Sequence, residues 1–490
     1  MTVSVEERPR VLHWFRADLR LRDNAAFSAA ATRASRLAGV FVFDETLLAK
    51  ERQGAPRLHF LRACVESLSR EMAARGQVLL VRRGRPAEVI PELARELGAE
   101  VVTWNRDPSG FARDRDADVL TRLEAIGIRG FGFKDRVVHE AADVHPCQNR
   151  PIPVFSPYRK AWWRRFDAHP PAAPRVFEQP PPFEGQRPDP VPTADELGLA
   201  QTDVSLPLAG EAAGYARLEA FLSGPGARYK DDRDFPALEA TSRLSPYLRL
   251  GVVSIRDCFR EARAAIDAEP ATRRGLEKWI DELIWREFYQ AVLDAEPRLT
   301  RENHRPGFDA FPWRDDPEGF AAWCEGRTGF PFVDAGMREL RATGHMHNRT
   351  RMVVASFLTK DLLIDWRRGE HFFMQWLVDG DPASNCGGWQ WAASTGTDAS
   401  DRLRIFNPVL QGERFDPDGD YIRRWVPELE GLEGTAIHRP WELPLVATGY
   451  PAPIVDHAER RRVAIEQFAR AGPASSGASP PASATSTRAR

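Results

Sequence analysis

The run Asp379-Gly380-Asp381-Pro382-Ala383-Ser384-Asn385-Cys386-Gly387-Gly388-Trp389-Gln390-Trp391 compresses acids, an amide, a glycine pair and two tryptophans into one short segment. A globular core has no need of this sequence, so it points to a bound group with polar edges. A second cluster, Thr241-Ser242-Arg243-Leu244-Ser245-Pro246, follows Tyr229-Lys-Asp-Asp-Arg233 and sets hydroxyls ahead of a proline and a helical stretch. Such hydroxyls cap a helix and equally offer donors to a phosphate. Capping by itself is the commoner explanation, so this cluster gains meaning only in company.

In GLEKWIDELIWREFYQ, Trp279, Glu282 and Arg286 recur at i, i+3 and i+7, with Trp285 beside Glu282. That spacing puts an acid, a base and two indoles on one patch of a helix. A core stripe with a surface ion pair is the plain alternative. In Gly344-His345-Met346-His347-Asn348-Arg349-Thr350-Arg351-Met352, helical spacing groups Asn348, Arg351 and Met352 and turns Arg349 aside. Arginines close to an amide suit phosphate or ring-edge recognition. His345 and His347 stand at i, i+2, which does not put two ligands on one helix face, and no metal site is expected.

The elements that must position these groups fall into two kinds. Residues 10–140 alternate β-rich runs (RVLHWF, LAGVFVF, QVLLVRR, AEVVTWN) with amphipathic helices, which predicts a doubly wound parallel sheet. No GxGxxG follows the first strand, so an NAD-type fingerprint is missing. Residues 141–205 shift to prolines and short polar pieces and are expected to form a long interdomain linker over the surface. From 206 to 470 the period is 3.6, which predicts an all-helical domain. Residues 471–490 are alanine, serine and proline of low complexity and are expected to be disordered.

Composition bounds the rest. A chain of 490 residues is expected to divide into two domains. With 68 Lys plus Arg against 70 Asp plus Glu, the whole-molecule field gives no sign of a nucleic-acid partner, so any DNA contact must use a local basic strip. The five cysteines are scattered without ligand spacing, which fits a reducing cytoplasm. The amino terminus carries acids and no apolar h-region, and no apolar stretch is long enough to span a bilayer, so a cytoplasmic protein without membrane contact is expected. Fourteen tryptophans, many in the second half, need a further reason.

The segments WQWAASTGTDAS, RIFNPVLQGERFD and IRRWVPEL, read with 279–289 and 344–352, resemble the photolyase/cryptochrome family, and within it the class I cyclobutane pyrimidine dimer photolyases. The resemblance runs from WFRADLRLRDN to about residue 457. It implies an α/β antenna domain, a linker and a helical FAD-binding domain. It also implies a monomer that uses blue light to repair cyclobutane pyrimidine dimers in DNA.

By the same resemblance, Tyr229, Thr241, Ser242, Arg243, Leu244, Ser245, Trp279, Arg286, Asn348, Arg351, Asp379, Gly380, Asp381 and Asn385 line the FAD. Hydroxyls and arginines would meet the pyrophosphate, the two aspartates flavin and sugar donors, and Asn385 the flavin N5. Trp389, Trp366 and Trp313 match an electron-transfer triad, although each alone would serve as core. Trp285 and Trp391 match a pair that stacks on the flipped lesion, Met352 an apolar floor, and Glu282 a hydrogen-bond partner of the damaged base. Arg233, Asn348, Arg349, Arg404 and Gln411 match positions at the lesion or its phosphates.

The chain departs from the pattern at His345, where a tryptophan is common, and at Cys386, where an asparagine is frequent. A (6-4) photolyase would carry histidines at Asn348 and near Met352. A cryptochrome photoreceptor would lose the lesion set or replace Asn385 by aspartate. The stretch WNRDPSGFARDRD lacks the asparagine–glutamate pair of folate-binding members, which leaves a deazaflavin, a flavin such as FMN, folate or an empty antenna pocket open.

Overall fold

The computed structural model describes residues 8–107, 110–144, 152–172, 179–397, 403–443 and 449–471. The tail expected to be disordered lies outside them beyond Ala471. Strands β1 (Arg10–Phe15), β2 (Arg36–Asp44), β3 (Leu79–Gly84), β4 (Val101–Asn105) and β5 (Arg129–Phe133) form one parallel sheet in the order β3-β2-β1-β4-β5. Helices α1 (Ala25–Arg33), α2 (Ala55–Ala74), α3 (Pro86–Glu96) and α4 (Gly110–Ala125) are the crossovers. Alternation along β1 feeds two cores: Val11 and Phe15 pack with α2, while Leu12 and Trp14 pack with α3 and α4.

The edge strand β5, RGFGF, was not among the expected β-rich runs, because its glycines carry no strand preference. They make room for a tryptophan. A Cβ on Gly130 would stand 2.9 Å from the Trp104 ring, and one on Gly132 3.1 Å from its Nε1. The strand order turns at β1, flanked by β2 and β4, so a crevice opens at the carboxyl ends of these strands. A cavity of about 150 Å³ lies there, lined by Trp14, Arg16, Asp44, Asn105 and Arg115 among others.

The 141–205 stretch is not an irregular drape throughout. Helix α5 (Phe155–Ala168) forms within it, its one proline, Pro157, sitting in the first turn where a missing N–H costs little. Tyr158, Trp162 and Phe166, spaced by four, are buried. Trp162 Nε1 donates to Glu287 Oε2 at 2.6 Å, and the other Glu287 oxygen accepts from the Val138 amide at 2.6 Å. The linker is thereby tied to the helix that carries the acid–indole patch.

Every described element beyond Glu211 is helical. Those that matter below are α6 (Ser245–Arg249), α7 (Arg273–Ala295), α8 (Pro331–Thr343), α9 (Asn348–Ser356), α10 (Trp366–Trp376), α11 (Pro382–Ala393), α12 (Pro408–Phe415) and α13 (His457–Ala471). Among the described residues no helix is long and apolar enough to cross a membrane.

Candidate functional site

The Asp379–Trp391 run is built as a loop entering α11. Asp381 caps that helix, its Oδ1 accepting from the amides of Ala383 and Ser384 at 3.1 Å each. Its other oxygen faces Arg136 at 3.5 Å and Arg249 at 3.9 Å. Asp379 accepts from Arg351 at 2.9 and 3.2 Å, and the Ser245 hydroxyl also bonds to it. Burial alone would raise both carboxyls. Arg351 for Asp379, and Arg249 with Arg136 for Asp381, outweigh it and hold both below the ordinary aspartate range.

The guanidinium groups around these acids are in excess. Burial, then repulsion from Arg136, brings Arg286 down to about 10, and burial with repulsion from Arg249 brings Arg57 down to about 9. Burial and Arg136 lower Arg249 as well. Crowded buried cations that depress one another are a seat for an anion, and a dinucleotide diphosphate fits it. Gly380 is dictated by this crowding: a Cβ there would stand 2.2 Å from Arg57 Nη1, and its carbonyl accepts from Arg249 Nε at 2.9 Å. Arg57, Arg136 and Arg249 went unnoticed in the sequence because no local pattern joins them to Asp379 and Asp381. The approach of the sheet half brings in Arg57 and Arg136, and the packing of α6 brings in Arg249.

The hydroxyl cluster lies against the same wall. Trp279 Nε1 donates to Ser242 Oγ at 3.2 Å, and Arg286 reaches the Arg136 and Leu248 carbonyls at 2.9 and 3.4 Å. Leu244 is buried, Ser245 is exposed at the start of α6, and Thr241 is partly buried. Arg243 holds φ +48, a left-handed conformation that non-glycine residues adopt at a cost, and its side chain turns to Glu239 at 3.1 Å. Tyr229 is buried with the Arg233 guanidinium 5.5 Å from its ring centre.

Asn385 gives both N–H groups to Glu370, at 3.1 Å to the backbone oxygen and 3.0 Å to the carboxylate. Its amide oxygen is then the pole that an incoming N–H would meet, which fits a reduced flavin ring. Asn348 is exposed, and its Nδ2 lies 3.8 Å from Met352 Sδ.

The residues expected at the lesion fall into separate groups of contacts. Arg233 pairs with Glu282, and Lys278 lies 2.8 Å from the same oxygen. Asp234 joins Arg349 at 2.8 Å and Arg233 at 3.7 Å, while the Arg349 guanidinium sits 4.1 Å from the Phe415 ring centre. Trp285 is stacked by Phe155 at 3.7 Å and 6°. On α11, Trp391 carries the Arg404 guanidinium 5.1 Å from its ring centre. Gln411 on α12 has a buried Oε1 with no partner among the described residues. Lys278, Asp234 and Phe155 were not singled out from the sequence. The i, i+4 spacing of Lys278 and Glu282 was the one available signal.

Trp389 and Trp366 are buried in one apolar cluster, with the partly buried Trp313 packed against it. Trp389 lies edge-on to Phe373 and Trp323, at 5.0 and 6.0 Å, and a Cβ on Gly369 would stand 2.2 Å from its ring. Trp366 Nε1 donates to Asn303 Oδ1 at 2.9 Å. No direct ring contact links the three among the described pairs.

A second cavity, of about 450 Å³, opens between the ends of β4 and β5 and α7, lined by Trp104, Arg113, His139, Glu140, Gln290 and Asp294 among others. Both polar atoms of the buried Gln290 amide, and Nε2 of His139, have no partner among the described residues.

A parallel sheet joined to a helical domain, with buried arginines crowded around two buried aspartates, makes a seat for the phosphates of a nucleotide cofactor. Two family patterns match: residues 11–175 match DNA photolyase, and residues 279–470 match the FAD binding domain of DNA photolyase. The chain is 43% identical over 477 residues to the deoxyribodipyrimidine photo-lyase of Halobacterium salinarum, covering 94% of this chain and 99% of that one. It superposes with a TM-score of 0.86 on the class III photolyase of Agrobacterium tumefaciens, at 36% identity over 96% of this chain and 98% of that one. An archaeal photolyase of Sulfolobus tokodaii, solved with two FAD molecules, gives 0.81 at 30% identity over 94% of this chain and 100% of that one. The chain belongs to the DNA photolyase family, and its helical half is the family's FAD-binding domain.

Proposed function

We propose that this protein is a light-driven lyase that splits cyclobutane pyrimidine dimers in DNA. The observation that carries this is the charge-paired Glu282 on α7, the helix that also bears Trp285 and the anion-seat residue Arg286, in a family whose similar members are named deoxyribodipyrimidine photo-lyases. When bound, reduced FAD supplies the photoexcited electron. The protein's own groups do the rest. Trp285 and Trp391 replace the stacking that a flipped dinucleotide loses, and Met352 closes the apolar floor. Glu282, with its two cations, is a preorganised partner for charge that develops on the damaged base. Arg233, Arg349 and Arg404 face the strand phosphates, and Asp234 keeps Arg233 and Arg349 apart and oriented.

We read the acting form as a monomer on damaged DNA. The free cysteines among the described residues, Cys64, Cys258, Cys324 and Cys386, support a reducing cytoplasm. For the second chromophore, the unpartnered Gln290 amide favours the larger cavity. An amide that can donate and accept complements a ring lactam, the edge shared by pterins, flavins and deazaflavins.

The test is repair. Reduced enzyme under blue light should restore two thymines in a thymine-dimer oligonucleotide and leave a (6-4) lesion intact. Repair of the (6-4) lesion instead, or no dimer reversal with fully reduced flavin, overturns the assignment. Two histidines expected of a (6-4) enzyme are absent, since Asn348 and Met352 touch each other in their place.

A further inference from the structure

We propose that helix α13 caps the outer end of the tryptophan relay, Phe468 shutting water away from the Trp313 indole nitrogen so that an oxidised Trp313 keeps its proton. The inference rests on the reading of Trp389, Trp366 and Trp313 as that relay. The Trp313 ring is only partly buried, yet its Nε1 is buried and has no hydrogen-bond partner among the described residues. A buried unpaired donor costs stability, so its persistence asks for a reason.

The cover is made by two rings. Phe311 lies 4.3 Å from Trp313, Phe468 stands edge-on to it at 6.2 Å, and the two phenylalanines touch at 4.4 Å. Phe468 and Ala464 bring the buried face of α13 onto this spot. The helix is pinned by His457 Nδ1, 2.5 Å from Asp361 Oδ1, and by Arg460 Nε, 2.6 Å from the Asp361 carbonyl. Beneath Phe468, Lys360 Nζ stands 3.6 Å from the ring centre and donates to the Ala393 carbonyl at 2.6 Å. Burial drives Lys360 well below the ordinary lysine range.

An indole radical cation is far more acidic than the neutral indole and gives its N–H proton to water or a base in reach. Among the described residues, Trp366 Nε1 has one hydrogen-bond partner, the Asn303 amide oxygen at 2.9 Å, a very weak base, and Trp313 Nε1 has none. An electron given inward by Trp389 would leave a vacancy that moves outward through Trp366 to Trp313. A thiol in solution fills it with one electron, losing its own proton to water and pairing with a second oxidised thiol as a disulfide. Trp313 returns to its starting form with no proton lost or regained.

Two measurements on the FAD-loaded full chain test this. The Trp313 indole N–H, assigned by its disappearance in Trp313→Phe, should be protected from exchange with D2O, and in Phe468→Ala it should exchange roughly tenfold faster or more. Flash spectroscopy should show a tryptophan radical cation that decays without passing to the neutral radical, and Phe468→Ala should convert it to the neutral form. Phe468→Leu should restore both behaviours, and unchanged flavin absorbance in each variant shows that the domain is intact. An unprotected N–H in the parent protein, or identical radical kinetics in parent and Phe468→Ala, overturns the cap. If Trp313→Phe photoreduces normally, the relay reading fails and the cap with it. If Trp313→Phe abolishes photoreduction while Phe468→Ala changes nothing, the relay stands and the cap alone is lost.

Discussion

Lys278 Nζ lies 2.8 Å from Glu282 Oε1, one turn earlier on α7, and Arg233 closes on the same oxygen from the facing loop. The carboxylate is therefore an anion between two cations before any lesion arrives. Glu282→Gln keeps the shape and removes the charge. Repair of a thymine-dimer oligonucleotide by reduced enzyme should slow about three- to tenfold, the equivalent of ~1 kcal/mol for one hydrogen bond. Affinity for the same DNA, read by fluorescence anisotropy, should change less. Equal losses in rate and affinity would mean that Glu282 serves binding alone.

Asp379 is buried and its partner Arg351 only partly so. Removing the carboxylate leaves the guanidinium without its charged acceptor, at a cost of about 1–3 kcal/mol. Asp379→Asn should therefore purify with a markedly lower FAD-to-protein ratio, measured on flavin released by denaturation. An unchanged ratio would separate Asp379 from flavin retention.

Arg404 is exposed, its guanidinium 5.1 Å from the Trp391 ring centre. Arg404→Ala should reduce the slope of log affinity against log salt by about 0.9, the release of roughly one counterion. It should do so equally on damaged and undamaged duplex. A loss confined to damaged DNA would instead mark Arg404 as a lesion contact.

Burial holds His347 down to about 4, and His347 Nδ1 caps α9 by accepting from the Arg349 amide at 3.1 Å. Its folded pKa lies below its unfolded one, so between pH 6.5 and about 4 the unfolded chain binds more protons and stability falls as pH falls. Over that window the loss approaches ~3 kcal/mol for this group. Burial likewise holds His13 to about 3 and His139 to about 4, and both add in the same direction. His347→Asn keeps a good cap that cannot charge, so its melting temperature should fall less steeply between pH 7 and 4.5. Parallel curves for the two proteins would remove His347 from the account.

The sequence carried whatever depends on neighbours along the chain. Strands β1, β2, β3 and β4 announced themselves by apolar runs, and the one-face spacing on α7 placed Trp279, Glu282 and Arg286 together. What it withheld depends on distant approach. Arg57 and Arg136 enter the anion seat from the sheet half and Arg249 from the end of α6, Phe155 reaches Trp285 from a stretch whose prolines hid a helix, and β5 was masked by glycines that exist to fit Trp104. Asp381 also divides its oxygens between a helix cap and two arginines, which spacing alone could not show.

Phe155, lying parallel to Trp285 at 3.7 Å, bears on the thermodynamics of capture. An indole left to rotate would surrender rotamer freedom when a base stacked on it, about 0.5–1.5 kcal/mol for an immobilised side chain. Here that freedom is already gone in the unliganded protein, spent during folding when the linker helix docked. Capture by so stiff a wall should gain chiefly in residence time, with slow dissociation of the lesion and little change in its rate of arrival.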